Sequence, residues 1–171
     1  MSRPQPPDPT LPPWPQYAEA VVELIVDGEH LVLTPCVLDA AAQGALSSRG
    51  APLWVLTAGD PCPVELDAVE NAARNALLRD DIERLGLRHH PALGRSPDGS
   101  TFEVSVAVRG TSREVVLDLA ARHGQLAVYE LDDRIGCIDV ASRAVVTTVP
   151  YRMAAAPAGS DVLVGPTGWR G

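Results

Sequence analysis

Residues 53–86, LWVLTAGDPCPVELDAVENAARNALLRDDIERLG, decide how this chain folds. Leu53 to Thr57 is a compact apolar run, the pattern of a central strand, and Ala58-Gly59-Asp60-Pro61 stops it. A long helix follows. At 100° per residue Val64, Leu78, Ile82 and Leu85 line one face, and Leu66, Val69, Ala73 and Leu77 another. Pro63 suits the first helical position and Cys62 the N-cap, with Glu65, Asp67 and Glu70 complementing the positive helix start. Gly86 suits the stop.

Working outward, Leu87 to Leu93 reads as a weak strand and Gly94 to Ser100 as a turn. Thr101 to Val108 alternates, which points Phe102, Val104, Val106 and Val108 inward. Thr111 with Glu114 forms a capping-box signature for a second helix over 112–123, stopped at Gly124. Leu126 to Leu131 is the next strand. Upstream, Val21 to Val26 and Leu31 to Thr34 flank Asp27-Gly28, a hairpin turn, and residues 37–50 read as a short helix or loop. Downstream, Arg134 to Val140 and Arg143 to Val149 read as a terminal hairpin. From 53 to 131 the order is strand, helix, strand, strand, helix, strand. The expectation is an α+β fold with a ferredoxin-like (split βαβ) antiparallel sheet, two helices on one face, and hairpins extending it at both ends.

The ends are set apart by composition. Seven of the first fifteen residues are proline, so 1–16 is expected to be a disordered or polyproline II arm. Residues 17–149 form a single domain, and 150–171 an Ala/Gly/Pro-rich tail in which only Val162-Leu163-Val164 suits a strand. Leu11 to Pro15 is a segment that an aromatic-lined groove of a protein partner accepts, though Trp14 packing on its own domain is the plainer reading.

At 171 residues and 46% hydrophobic, the chain has enough apolar surface for one core. All 14 basic residues are arginine, which excludes a Walker A loop and Schiff-base chemistry. The net charge of −8 argues against nucleic-acid binding, which needs a clustered positive footprint. No apolar run is long enough to span a membrane and no secretory leader is visible, so a cytoplasmic location is expected. Three cysteines without a CxxC pair suit free thiols. His89 and His90, adjacent on an extended segment, point to opposite faces and cannot grip one metal. Neither a metal nor a cofactor is expected.

Polar residues that break the apolar pattern are the candidate site. Asn71 and Asn75, four apart, share the apolar helix face, where an unpaired amide is costly. Glu103 and Ser105 share the strand face opposite Phe102. Thr57 and Asp60 follow the first central strand, and Gln125 the second helix. A Cys62 nucleophile lacks a nearby base, and Ser105 lacks a nucleophile elbow. These amides and hydroxyls suit hydrogen-bonded recognition of a small molecule, with Thr57, Asp60, Asn71, Asn75, Ser105 and Gln125 as ligand contacts. The alternatives are an enzyme using Glu103 as general acid or base, with Asn71, Asn75 and Gln125 orienting substrate, and a protein–protein interaction module.

Thr57-Ala58-Gly59-Asp60-Pro61, Asn71, Asn75, Gly94 with Pro97-Asp98-Gly99, Glu103-Val104-Ser105 and His123-Gly124-Gln125-Leu126-Ala127 carry a family resemblance. Over about residues 17–131 the chain resembles a bacterial family, domain of unknown function 3293. Its pattern runs T-A-x-N-P, a helix with asparagine, E-x-S on a strand, and a late G-Q. This chain departs in having Asp60 where the family has asparagine, and in its proline-rich start. The resemblance implies no reaction. It implies that Thr57, Asp60, Asn71, Asn75, Glu103, Ser105 and Gln125 are recurring polar positions.

Overall fold

A computed structural model describes residues 13–36, 46–60 and 65–157. Apolar alternation and turn chemistry build nine strands in chain order: β1 (Val21–Val26), β2 (Glu29–Pro35), β3 (Leu53–Leu56), β4 (His89–Arg95), β5 (Phe102–Arg109), β6 (Ala127–Leu131), β7 (Ile135–Asp139), β8 (Val145–Val149) and β9 (Tyr151–Ala155). The helices are α1 (Trp14–Glu19), α2 (Ala68–Arg84) and α3 (Arg113–Arg122), with a 3-10 turn at Leu46–Arg49. All strands join one antiparallel sheet in the order β8-β7-β6-β3-β5-β4-β1-β2-β9. Its two edge strands, β8 and β9, are consecutive in the chain and joined through Pro150 alone, so the sheet curls until it nearly closes.

Curling creates two cores. β3 is buried on both faces, which is why it reads as an unbroken apolar run. Trp54 and Leu56 pack outward with Leu78 and Ile82 of α2 and Val116, Leu117, Leu119 and Ala120 of α3. Leu53 and Val55 pack inward with Leu24, Leu33, Leu131, Ile135 and Tyr151. The two long helices therefore cover one face, and the other folds against itself.

The Asp27-Gly28 turn forms as its sequence dictates. Asp27 has φ 53° and Gly28 φ 80°, the two left-handed residues of a type I′ hairpin, and β1 and β2 pair in register across it. The terminal β7–β8 hairpin also forms.

Several local expectations are corrected. α2 starts at Ala68, not Pro63. Asp67 caps it by accepting from Val69 N and Glu70 N, while Glu70 reaches back to the Asp67 amide. A reciprocal carboxylate box satisfies more of the helix's open N–H groups than a thiol and a proline; Cys62 itself lies outside the described residues. α3 is capped by Ser112 rather than Thr111, since the Ser112 hydroxyl reaches Val115 N. β4 runs two residues further than expected, through Gly94 and Arg95, because β1 and β5 flank it and hold those positions in register. Phe102 points out, 67% exposed, because only β5 from Ser105 onward is covered on both faces.

Where the two end segments adjoin the domain, the described residues carry regular structure. Within the expected arm, Trp14 begins α1 and its ring meets Tyr17 edge-on at 5.9 Å. Within the expected tail, Tyr151–Ala155 forms β9 against β2. Tyr151 anchors that turn, donating to Asp132 O at 2.5 Å and accepting from Leu46 N at 3.0 Å. Residues 1–12, 37–45 and 158–171, with the Val162–Val164 strand, lie outside the described residues.

Candidate functional site

The loop leaving β3 is held by side chains from both long helices. Asn75 projects from the apolar face of α2, and its Oδ1 accepts from Ala58 N at 2.9 Å and from the Thr57 hydroxyl at 3.3 Å. The Thr57 hydroxyl also lies 2.8 Å from Val104 O and accepts from Gly59 N at 3.0 Å. One turn earlier Asn71 Oδ1 accepts from Asp60 N at 2.7 Å, and its Nδ2 donates to Asp60 Oδ1 at 2.9 Å. Asp60 Oδ1 in turn accepts from Leu66 N. Gln125, just beyond α3, donates from Nε2 to Gly59 O at 2.7 Å.

Thr57, Asp60, Asn71, Asn75 and Gln125, spread over 69 positions of sequence, therefore meet at one loop. They meet in order to hold it. The polar atoms of Asn71 and Asn75 are already bonded to the backbone or to each other's neighbours, which is how buried amides are normally accommodated. Gly59 is part of the same fit: a Cβ there would sit 3.2 Å from Asn71 Oδ1. Arg74, His123 and Asp81, none of them a candidate site residue, complete the knot. Arg74 donates from Nε to Ala58 O at 2.7 Å and from Nη2 to His123 O at 2.5 Å, and the largely buried His123 ring meets Asp81 at 3.1 Å. Asn71, Arg74 and Asn75 share one flank of a helix, and that spacing was the available signal.

Glu103 and Ser105 lie on the inward face of β5, with Ala107 of the inner core. The Ser105 hydroxyl is buried and donates to the carbonyl of Glu103 at 3.3 Å, within its own strand. The Glu103 carboxyl has a different setting. It lines a cavity of about 640 Å³ between α1, the β4–β5 tip and the middle of β6, together with Tyr17, Asp60, Ser96, Asp98 and Tyr129. Burial, and then the neighbouring Asp60 charge, push Glu103 up to about 7, with no hydrogen-bond donor offsetting them. Tyr129, whose hydroxyl donates to Tyr17 O at 3.1 Å, is raised by burial as well. Asp60 is the link between the two regions, with one carboxylate oxygen in the knot and a place in the cavity wall.

Tyr17 and Tyr129 were not legible as site residues. One lies next to the proline-rich segment and the other in an apolar strand, and only folding sets their rings 6.0 Å apart. Arg95 also lines the cavity, but its Nε is held at 2.7 Å by Glu23, a buried carboxylate that His30 approaches from its other oxygen. Among the described residues no group of three or more His, Cys, Asp or Glu is placed to hold a metal ion. Cys137 is a free thiol, and burial raises it to about 12.

Fold and cavity define a mixed helix and antiparallel-sheet protein with a partly buried carboxyl at one mouth of a curled sheet. Residues 56–128 match the family described as "Protein of unknown function (DUF3293)". The match takes in Thr57, Asp60, Asn71, Asn75, Glu103, Ser105 and Gln125, while Tyr17 and Tyr129 lie outside it. Comparison with curated proteins and with solved structures found no match. Among the described residues no helix is long and apolar enough to cross a membrane.

Proposed function

We propose that this protein binds a small polar ligand in the cavity beside Glu103. The observation that carries the reading is a carboxyl drawn out of water into a cavity with no donor to satisfy it. The volume, about 640 Å³, falls within the range of small-molecule pockets. Glu19, Asp60, Asp98 and Glu103 contribute acid groups to the wall against the single, already paired Arg95. Such a wall favours a ligand that donates hydrogen bonds or carries positive charge, and the rings of Tyr17 and Tyr129 suit an apolar or cationic body. The roles divide accordingly: Glu103 and Asp60 contact ligand, while Thr57, Asn71, Asn75 and Gln125 hold the loop that presents Asp60.

The neighbouring order β6-β3-β5-β4, with α2 and α3 as crossovers on one face, supports reading the central strands as a split βαβ unit. The free thiol of Cys137 supports a reducing, cytoplasmic location, and the acidic balance supports a small-molecule rather than a nucleic-acid partner.

A thermal-shift screen with amines, amino acids, nucleosides and sugars tests the proposal. A true ligand at about 100-fold excess over Kd stabilises by roughly 2.7 kcal/mol, and Glu103→Gln abolishes that gain. Absence of any stabilising compound across those classes, or a gain that survives in Glu103→Gln, defeats it. A second reading is favoured by the pKa of Glu103, which suits proton transfer near neutrality. It predicts that the wild type converts the bound compound, seen by mass spectrometry, while Glu103→Gln leaves it intact.

A further inference from the structure

Glu103 and Asp60 hold open acceptor oxygens in the same cavity, and its wall offers them no donor. Asp60 uses Oδ1 to accept from Leu66 N at 2.8 Å and Asn71 Nδ2 at 2.9 Å, while its Oδ2 has no hydrogen bond among the described residues. The Glu103 carboxyl accepts none either, and its oxygens are not sealed inside protein, so they open to the cavity. The other charged groups around Glu103 leave this unchanged. Asp98 of the β4–β5 turn is taken by the Ser96 and Ser100 hydroxyls and by Ser100 N. Arg95 of β4 turns its Nε to Glu23. From α1 come another carboxylate, Glu19, and the Tyr17 ring, and from β6 comes Tyr129, whose hydroxyl donates to Tyr17 O. Acceptors without donors repel an anion and are answered by a group that brings N–H and positive charge together.

Resting on the ligand-binding reading above, we propose that the occupant is an organic cation with N–H donors, a primary ammonium or a guanidinium group, held by the open oxygens of Glu103 and Asp60 with its carbon body against Tyr17 and Tyr129. The two rings, 6.0 Å apart and tilted by 41°, give that body an apolar surface and the charge a π-face. A quaternary ammonium brings charge without a donor and leaves both carboxylates unanswered. A bare metal ion is served worse, since no group of three or more ligating side chains is placed for one among the described residues. Binding exchanges a proton for the cation. Free Glu103 keeps its proton up to about pH 7, because burial and the Asp60 charge disfavour its carboxylate. The cation requires that carboxylate, so affinity is full above this pH and falls as pH drops through it, while the amine stays charged throughout.

The test is titration calorimetry of the full chain with four probes that share one body: phenethylamine, phenethylguanidine, phenethyltrimethylammonium and 2-phenylethanol. Saturable binding of either of the first two supports the proposal, and the tighter identifies the group. The trimethylammonium and the alcohol bind about tenfold more weakly or not at all. Affinity for phenethylamine weakens about 100-fold from about pH 8 to about pH 5, and Glu103→Gln removes that dependence along with most of the binding. Asp60→Asn keeps the Oδ1 acceptor that holds the loop, and asparagine tolerates the backbone there, at φ 37°. By removing one charge it weakens the amine about tenfold. Binding by neither of the first two probes, equal binding of the alcohol or the trimethylammonium, an affinity flat with pH, or an unweakened Asp60→Asn each overturns the cation. If the thermal-shift screen meanwhile finds a neutral or anionic compound whose gain needs Glu103, the ligand-binding reading stands without this inference; if it finds no stabilising compound, both fall.

Discussion

Two clusters of polar residues lie side by side on this fold, and they differ in what they lack. Around the β3–α2 loop the amides of Asn71, Asn75 and Gln125 meet backbone groups that would otherwise be unpaired. In the adjacent cavity Glu103 is half-buried with only another carboxylate, Asp60, close enough to shift it. Both clusters break the hydrophobic periodicity, and both fall in the family-matched segment. A residue out of pattern marks a need for a partner. Whether the protein supplies that partner separates a structural position from a binding position.

The largest effect should come from the knot. Asn75→Ala leaves Ala58 N without an acceptor and removes a partner of Thr57 in a buried setting. We expect a loss of about 3 kcal/mol in denaturant unfolding. A loss below about 1 kcal/mol would mean that the loop finds other partners and that the distinction drawn here is false.

Glu103→Gln should act in the opposite direction. The folded-state pKa, about 7, lies above the unfolded value near 4.5, so the folded protein favours the protonated form. The wild type is therefore at its most stable relative to the variant below about pH 4.5, and loses that stability as pH rises through 7. Above pH 7 Glu103→Gln should be more stable than wild type by about 2 kcal/mol, discounting the shift for partial exposure. The gain should vanish toward pH 4.5. Parallel stability curves for the two proteins across that range would place Glu103 among satisfied groups, with no claim on a ligand.

Gln125→Ala comes next, at about 1 kcal/mol, because it removes one neutral hydrogen bond to Gly59 O from a half-buried group. Its effect should be non-additive with Asn71→Ala, since both hold the same loop. A double-mutant cycle with zero coupling would separate them.

These expectations show what the sequence made legible and what it did not. The positions of both long helices, the Asp27-Gly28 hairpin and β5 follow from periodicity and turn chemistry, which act within about twenty residues of chain. Asn71 and Asn75 were legible as anomalies for the same reason. Their partners were not, because Ala58 N and Asp60 N belong to a loop whose path depends on the packing of α2 against β3. Nor was β9. The sequence YRMAA has no strong strand pattern, and it pairs with β2 only because the curled sheet brings that edge to meet it. Tyr17 and Tyr129 join the cavity through the same closure, 112 positions apart in sequence.

The smallest effect should be that of Ser105, which belongs to neither cluster. Its side chain is buried, yet its hydroxyl donates only to the carbonyl of Glu103, two residues back on the same strand, at 3.3 Å. Alanine at this position keeps the strand and nearly fills the space, and the carbonyl it releases loses one weak donor. Ser105→Ala should therefore change stability by no more than about 0.5 kcal/mol and leave ligand stabilisation intact. It also keeps Glu103 titrating near 7, because burial and Asp60, not the Ser105 hydroxyl, set that value. If Ser105→Ala instead removed ligand stabilisation without changing the unfolding midpoint of the free protein, the hydroxyl would be turning toward the cavity when ligand enters. The boundary between the satisfied and unsatisfied clusters would then run through β5 at Ser105 rather than at Glu103.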